Sequence, residues 1–204
     1  MRNRESVCFC GFWILRCGFS ILIEHMFVLG VDPGLTTAGY GIIEASGTKF
    51  HAVTAGVIRT DPGDAVAHRL TEIYDDLRSL IAEFRPTEAA IEEVFVNRNL
   101  QTATSVGRAA GVALLAIAQA GIPIAEYTPS AVKMALCGNG RAPKDQMQRV
   151  VAMRLGLAAV PESADAADAL AAALCYAFSS GMQSKVQAAL AAAGPQRRRR
   201  RVGR

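Results

Sequence analysis

The stretch Phe27-Val28-Leu29-Gly30-Val31-Asp32-Pro33-Gly34 decides the fold of this chain. A continuous apolar run that contains β-branched residues is typical of a strand buried on both faces. Pro33 and Gly34 then end the strand, so Asp32 lies at its carboxyl end. In open α/β sheets this is the edge where ligands bind and chemistry takes place. An acid that closes a buried apolar strand also needs a partner, and a functional site is therefore predicted at Asp32.

The composition fits one globular domain. The chain has 204 residues, of which 51% are hydrophobic and 20% are charged, and this is enough to form a full core. The net charge of +4 includes the run Arg197 to Arg201, so the charge of the remaining chain is a weak indicator of nucleic-acid binding. Five cysteines without a paired CxxC spacing indicate neither a zinc site nor a disulfide framework. A reducing cytosol is the expected location.

Three regions are expected along the chain. Residues 1–25 loosely resemble a signal peptide, but Arg16 interrupts the apolar run and Glu24-His25 is a poor cleavage site. We interpret this segment as an extension without function, with export or membrane association as the alternative. Residues 26–179 form the folded domain. Residues 180–204 are alanine-rich and then basic, and are predicted to form a disordered tail.

The hydrophobic pattern predicts an α/β fold. Two further strands follow Asp32 across short turns, which implies an antiparallel meander of three strands. A helix over residues 64–84 leads to a strand at residues 88–96, which should lie parallel to the first strand. A helix ending near Ala120 and a strand over residues 122–127 come next, followed by helices that begin at Pro129, Lys144 and Ala164. The prediction is a mixed five-stranded sheet flanked by helices.

Four acidic residues are expected to meet at the edge of this sheet. Asp32 ends the first strand, Glu92 lies in the predicted neighbouring strand, and Asp165 and Asp168 share a face at the start of the last helix. Such carboxylates repel each other unless cations neutralise them. An all-oxygen set suits Mg²⁺ or Mn²⁺. Two divalent ions held by carboxylates are typical of phosphodiester cleavage, although an acid at a helix start can also simply complement the helix dipole.

Three motifs carry a resemblance to a known family. These are residues 30–34 (GVDPG), residues 90–95 (AIEEVF) and residues 165–170 (DAADAL). In this order they closely resemble the RuvC family, the bacterial Holliday junction resolvases, over roughly residues 26–179. The resemblance implies an RNase H-like fold and a homodimer that nicks four-way DNA junctions symmetrically with Mg²⁺. Two ions per active site are expected, with Mn²⁺ able to substitute.

The resemblance also implies roles for individual residues. Asp32, Glu92, Asp165 and Asp168 correspond to the catalytic acids that bind the metal. Glu93 stands where some relatives have glutamine, and Glu92 is the predicted catalytic glutamate. The resemblance also implies that Phe95, Lys133 and Lys144 contact DNA. Arg141 is a further candidate for contact with the DNA backbone. The helix that contains Gly107 and Gly111 is the candidate dimer contact. A RuvA–RuvB branch-migration partner and a cytoplasmic location, without membrane contact, are implied as well.

Other functions are compatible with the same residues. The acids would equally serve an RNase H-like nuclease that acts on RNA or on an RNA–DNA hybrid. A protein that binds junctions without cleaving them is an alternative from a different class. A sugar-kinase-like phosphate-binding domain is a third alternative, since Asp-Pro-Gly after a strand can open a phosphate loop, but the chain is too short for two lobes.

Overall fold

The structure is a computed structural model that describes residues 25–93 and 100–193, and side chains as far as residue 181. The prediction for Phe95, the extension before His25 and the run Arg197 to Arg201 lie outside the described residues. The elements are, in chain order, β1 (His25–Asp32), β2 (Thr37–Ser46), β3 (Lys49–Arg59), α1 (Val66–Phe84), β4 (Glu88–Glu92), α2 (Leu100–Gln119), β5 (Ile124–Tyr127), α3 (Pro129–Cys137), α4 (Lys144–Leu155) and α5 (Ala164–Ala193).

The described strands form one mixed sheet in the order β3-β2-β1-β4-β5. The pairs β1–β2 and β2–β3 are antiparallel, whereas β4 lies parallel to both β1 and β5. The predicted meander with added parallel strands is therefore confirmed. The central position of β1 explains its sequence, because Val28, Leu29 and Val31 are each 0% exposed and a strand covered on both faces needs apolar side chains throughout.

Helices cover the two faces of the sheet. One apolar cluster joins Leu29, Val31 and Ile91 to side chains of α1 and α2. The other cluster joins Val28 and Ile43 to α3, α4 and α5. Since successive side chains of a strand point to opposite faces, Gly30 and Asp32 lie on the α5 face together with Val28.

Short sequence patterns predicted several helix ends correctly. The Thr128 side chain accepts a hydrogen bond from the Ala131 backbone N–H at the start of α3, with Pro129 as the first helical residue. This confirms the predicted cap. Gly138 ends α3 and Gly156 ends α4, both with left-handed backbone conformations, as glycine allows without strain.

The last helix is longer than predicted. A helix that ended at Phe178, followed by a disordered tail from residue 180, was expected, but α5 continues to Ala193. The physical reason is that the residues after Gly181 include many alanines, and alanine has the highest helix propensity of all residues. Met182, Val186 and Leu190 also continue the four-residue spacing of Leu174 and Phe178, which is typical of one face of a helix.

Candidate active site

Asp32 and Glu92 lie next to each other at the carboxyl ends of parallel strands. The β1–β4 register pairs Val31 with Ile91, so the following residue of each strand is one of the two acids. Val31 and Ile91 are packed on the α1–α2 side. By the alternation of a strand, both carboxylates therefore project toward the α5 side of the sheet.

The same alternation separates the two neighbouring glutamates. Glu93 follows the end of β4, is exposed, and donates its backbone N–H to the Tyr127 carbonyl oxygen at 2.8 Å. The charge of Glu93 is not among those that shift the pKa of Asp32 or of Glu92. Glu92 is the glutamate that faces the predicted site.

Glycines in the strands bring the start of α5 against the sheet. Gly39 pairs with Asp32 across β1 and β2, and a Cβ atom on Gly39 would lie 2.0 Å from the carbonyl oxygen of Asp165. A Cβ atom on Gly30 would lie 1.9 Å from the carbonyl oxygen of Ala169. The helix backbone therefore packs directly on the strand backbone, and this contact brings the first turn of α5 beside Asp32.

Gly30 and Gly39 are not among the predicted site residues, although their sequence contains a signal. A glycine inside a strand weakens the strand, and it often marks a close approach of another backbone. The pattern of small residues continues on the helix, where Ala166 and Ala169 are buried. Glycines on two neighbouring strands opposite buried alanines on a helix indicate where a helix will lie closest to a sheet.

The electrostatics show that the four acids share one environment. Burial raises the pKa of Asp32 to about 8, and the charges of Glu92, Asp168 and Asp165 add to this effect. Burial likewise raises the pKa of Glu92 to about 7, with a further contribution from Asp168. The pKa of Asp168 is also raised, first by burial and then by Asp165, against the opposing effect of Lys144. Burial is the main cause of these shifts, and the mutual repulsion of the acids adds to it.

Two lysines supply positive charge to this cluster. The Lys144 ammonium donates a hydrogen bond to Asp168 Oδ2 at 2.7 Å, and its charge lowers the pKa values of Asp32, Glu92 and Asp168. Desolvation lowers the pKa of Lys144 itself, but the hydrogen bond and the charge of Asp168 outweigh it, so the pKa is raised. Lys133 on α3 lowers the pKa values of Glu92 and Asp168 through its charge.

Arg141 takes no part in the electrostatics of the acids. It is exposed in the loop between α3 and α4, where its backbone N–H donates to Asn139 Oδ1 at 3.0 Å. Its charge does not contribute to the raised pKa values of Asp32, Glu92 or Asp168.

The donor set matches a hard divalent cation in its chemistry. All four side chains offer carboxylate oxygens, and Asp168 Oδ1 is buried without a hydrogen-bond donor. A buried carboxylate oxygen without a donor is unfavourable unless a cation completes its shell. Within residues 25–93 and 100–193, no three acidic, His or Cys side chains are already arranged to hold an ion. In this state the Lys144 ammonium is the cation that contacts Asp168.

The strand order, together with acids at the ends of β1 and β4 and in the first turn of α5, defines a nuclease domain of the RNase H-like class. The sequence profile described as crossover junction endodeoxyribonuclease RuvC matches residues 28–176. The chain belongs to the RuvC family of crossover junction endodeoxyribonucleases.

Individual relatives agree with this assignment. The crossover junction endodeoxyribonuclease RuvC of Chloroflexus aggregans is 50% identical over 153 residues, which cover 75% of this chain and 93% of the relative. The structure of Thermus thermophilus RuvC in complex with a Holliday junction substrate is 37% identical, with a TM-score of 0.75, and 98% of that chain is covered by 78% of this one. The yeast mitochondrial Holliday junction resolvase Ydc2, 12% identical with a TM-score of 0.56 over 82% of this chain and 86% of that one, shares the fold.

Proposed function

We propose that this chain resolves four-way DNA junctions by hydrolysing phosphodiester bonds at the cluster of Asp32, Glu92, Asp165 and Asp168. The observation that carries the proposal is the meeting of these acids at one sheet edge, where the pKa values of Asp32, Glu92 and Asp168 are raised, in a chain of the RuvC family. A cluster of carboxylates that is unfavourable by itself is expected where its purpose is to hold cations against a phosphate.

The proposed metal is Mg²⁺, with two ions per site and Mn²⁺ as a substitute. The oxygen-only donor set and the orphaned Asp168 Oδ1 support a hard cation over zinc, which prefers nitrogen and sulfur ligands. The chemistry that such ions supply when bound is activation of water and stabilisation of the leaving oxygen. Asp32, Glu92, Asp165 and Asp168 are the residues that would hold them.

The protein's own groups prepare the site for this chemistry. While no cation is bound, Asp32 and Glu92 titrate close to neutral pH, because burial and the neighbouring acids raise their pKa values. Release of these protons accompanies cation binding. Lys144 and Lys133 offset the negative charge from the α4 and α3 sides, and they are placed to favour the approach of a DNA phosphate.

The test compares three substrates and two variants. We expect a four-way junction to be nicked with Mg²⁺ and not with EDTA, while a linear duplex and an RNA–DNA hybrid are spared. Asp32→Asn should abolish nicking and leave junction binding intact. Asp76→Asn, an exposed acid on α1, is the matched control and should cleave like the parent. Equal nicking by the parent and Asp32→Asn would refute the proposal, and preferential hybrid cleavage would favour the RNase H-like alternative.

A homodimer formed through α2 is part of the proposal. Gly107 and Gly111 have open space where a side chain would be, and Leu115 on the same stripe is 51% exposed. Small residues four apart allow another helix to approach closely, and two symmetric sites suit a substrate that needs two symmetric cuts. Gly111→Leu should yield a monomer in sedimentation, whereas Gly181→Leu, also in open space, should not; a dimer that survives Gly111→Leu would contradict this contact.

A RuvA–RuvB partner and a cytoplasmic location without membrane contact complete the proposal, and family membership supports them. By length and composition alone, α2 is long and apolar enough to span a membrane. Its buried residues, among them Ala109, Ala113 and Ile117, instead pack in the cluster shared with α1 and the sheet, as in a core helix of a globular domain. Co-purification tests the partner: RuvA–RuvB should be retained by the chain when it is bound to a junction, and less so by the same chain without a junction.

A further inference from the structure

Arg69 on α1 is a buried cation outside the acidic cluster. The residue is 7% exposed, and no carboxylate in the described part of the chain forms an ion pair with it. Burying an arginine is unfavourable unless its donors are used. The hydrogen bonds of the guanidinium should therefore show what Arg69 does in the structure.

The hydrogen bonds of Arg69 go to two threonines. Its Nε donates to Thr60 Oγ1 at 2.9 Å, and its Nη2 donates to Thr36 Oγ1 at 2.8 Å. Thr60 is itself buried, and it donates its hydroxyl to the Leu35 carbonyl oxygen at 2.6 Å and its backbone N–H to the Thr36 carbonyl oxygen at 3.1 Å. Three of these hydrogen bonds join Arg69 or Thr60 to Leu35 and Thr36, and the fourth joins Arg69 to Thr60.

Leu35 and Thr36 belong to the loop that follows Asp32. Residues 33–36 are all that separates Asp32 from β2, and within them a Cβ atom on Gly34 would lie 2.0 Å from the Thr37 carbonyl oxygen. The loop is therefore closely packed at Gly34 and held by hydrogen bonds at Leu35 and Thr36. Because the loop is short and tightly packed, a displacement of Thr36 should also displace Asp32.

We propose that Arg69 is a positioning residue that fixes the Asp32 carboxylate by clamping the 33–36 loop through Thr36 and Thr60. The inference rests on the proposed catalytic role of Asp32. Arg69 acts through geometry rather than through its charge, since among the described residues the pKa of Asp32 responds to the charge of Lys144 and not to that of Arg69. The forked, planar guanidinium reaches two hydroxyls in a fixed geometry, and a lysine ammonium does not reproduce this.

The experiment measures single-turnover junction cleavage, junction affinity and thermal stability on the full chain with Mg²⁺. Arg69→Met and Thr36→Val should each slow cleavage by about tenfold to a hundredfold, as expected for small misplacements of a catalytic group, with unchanged junction affinity. Thr36→Ser, which keeps the hydroxyl, should restore the parent rate, and Arg69→Lys should restore it only in part. Because both changes break one interaction, the double variant Arg69→Met/Thr36→Val should be no slower than the slower single variant.

Arg78→Met is the matched control on the same helix, because Arg78 is exposed and lies over the Tyr74 ring. Cleavage by folded Arg69→Met at the rate of Arg78→Met would overturn the proposal. A loss of junction affinity that matches the loss of rate would also overturn it, since Arg69 would then contact DNA. Thr36 is exposed, so Thr36→Val keeps the test decisive if Arg69→Met fails to fold, and a parent-like rate for Thr36→Val would refute the clamp.

Asp32→Asn, assayed in parallel, separates the two proposals. Cleavage by Asp32→Asn would refute the catalytic assignment itself. An inactive Asp32→Asn beside a fully active Arg69→Met would refute the positioning role alone.

Discussion

Asp32→Asn should stabilise the metal-free protein while it removes activity. Burial, followed by the charges of Glu92, Asp168 and Asp165, raises the pKa of Asp32 from 3.8 to about 8. Between these values the folded state keeps a proton that the unfolded chain has released, so the free energy of unfolding falls as pH rises. At about 1.36 kcal/mol per pH unit, the destabilisation above the folded-state pKa is at most about 6 kcal/mol. Asparagine has nearly the same shape and carries no charge.

The measurable gain is smaller than this limit because the acids titrate together and share their repulsion. We expect Asp32→Asn to gain about 2–4 kcal/mol at about pH 9 and less at about pH 5. The assay is urea unfolding with EDTA, followed by circular dichroism, with exposed Asp76→Asn as the control. A gain that does not grow with pH, or an Asp32→Asn protein less stable than the parent at high pH, would refute the reasoning. Added Mg²⁺ should stabilise the parent and not Asp32→Asn.

Three further predictions concern the same site. Gly39→Ala should displace the first turn of α5, because a Cβ atom would lie 2.0 Å from the Asp165 carbonyl oxygen. Overpacking of this kind costs about 1–3 kcal/mol, so urea unfolding should show lower stability and the junction assay slower cleavage. Gly181→Ala, in open space, should change neither stability nor cleavage. Mn²⁺ affinity measured by calorimetry without DNA should rise with pH between about 6 and about 8, since the cation competes with protons on Asp32 and Glu92; a flat profile would contradict the raised pKa values. Lys144→Met should move that profile to higher pH, because the ammonium lowers the pKa values of both acids, and a shift to lower pH would contradict this.

Local patterns were sufficient to predict much of the fold. The apolar run through Val31 predicted a central strand, and Thr128-Pro129 predicted a helix start, because in both cases the physical cause lies within a few residues. The end of α5 was predicted too early, although the sequence contained the signal. Met182, Val186 and Leu190 continue the four-residue apolar spacing of the helix, and the alanines between them have high helix propensity.

The sequence suggested the candidate acids but not the residues that support them. Acids that end strands or begin helices are visible in the sequence, and the four predicted acids share one electrostatic environment. The contacts of Gly39 with Asp165 and of Arg69 with Thr36 join residues far apart in the chain, so no local pattern contains them. The strand register puts Glu92, the glutamate chosen from the sequence, on the α5 side of the sheet.

The close contact between α5 and the sheet connects stability with function in this domain. Bare strand backbone at Gly30 and Gly39 lets the helix approach closely enough to bring Asp165 and Asp168 beside Asp32. The same closeness buries the acids, which raises their pKa values and leaves Asp32 largely protonated near neutral pH without a cation. A partly neutral site repels DNA phosphate less than four ionised carboxylates would. Cations and the phosphate can then enter together as protons leave, so the packing that strains the free protein prepares the site for its substrate.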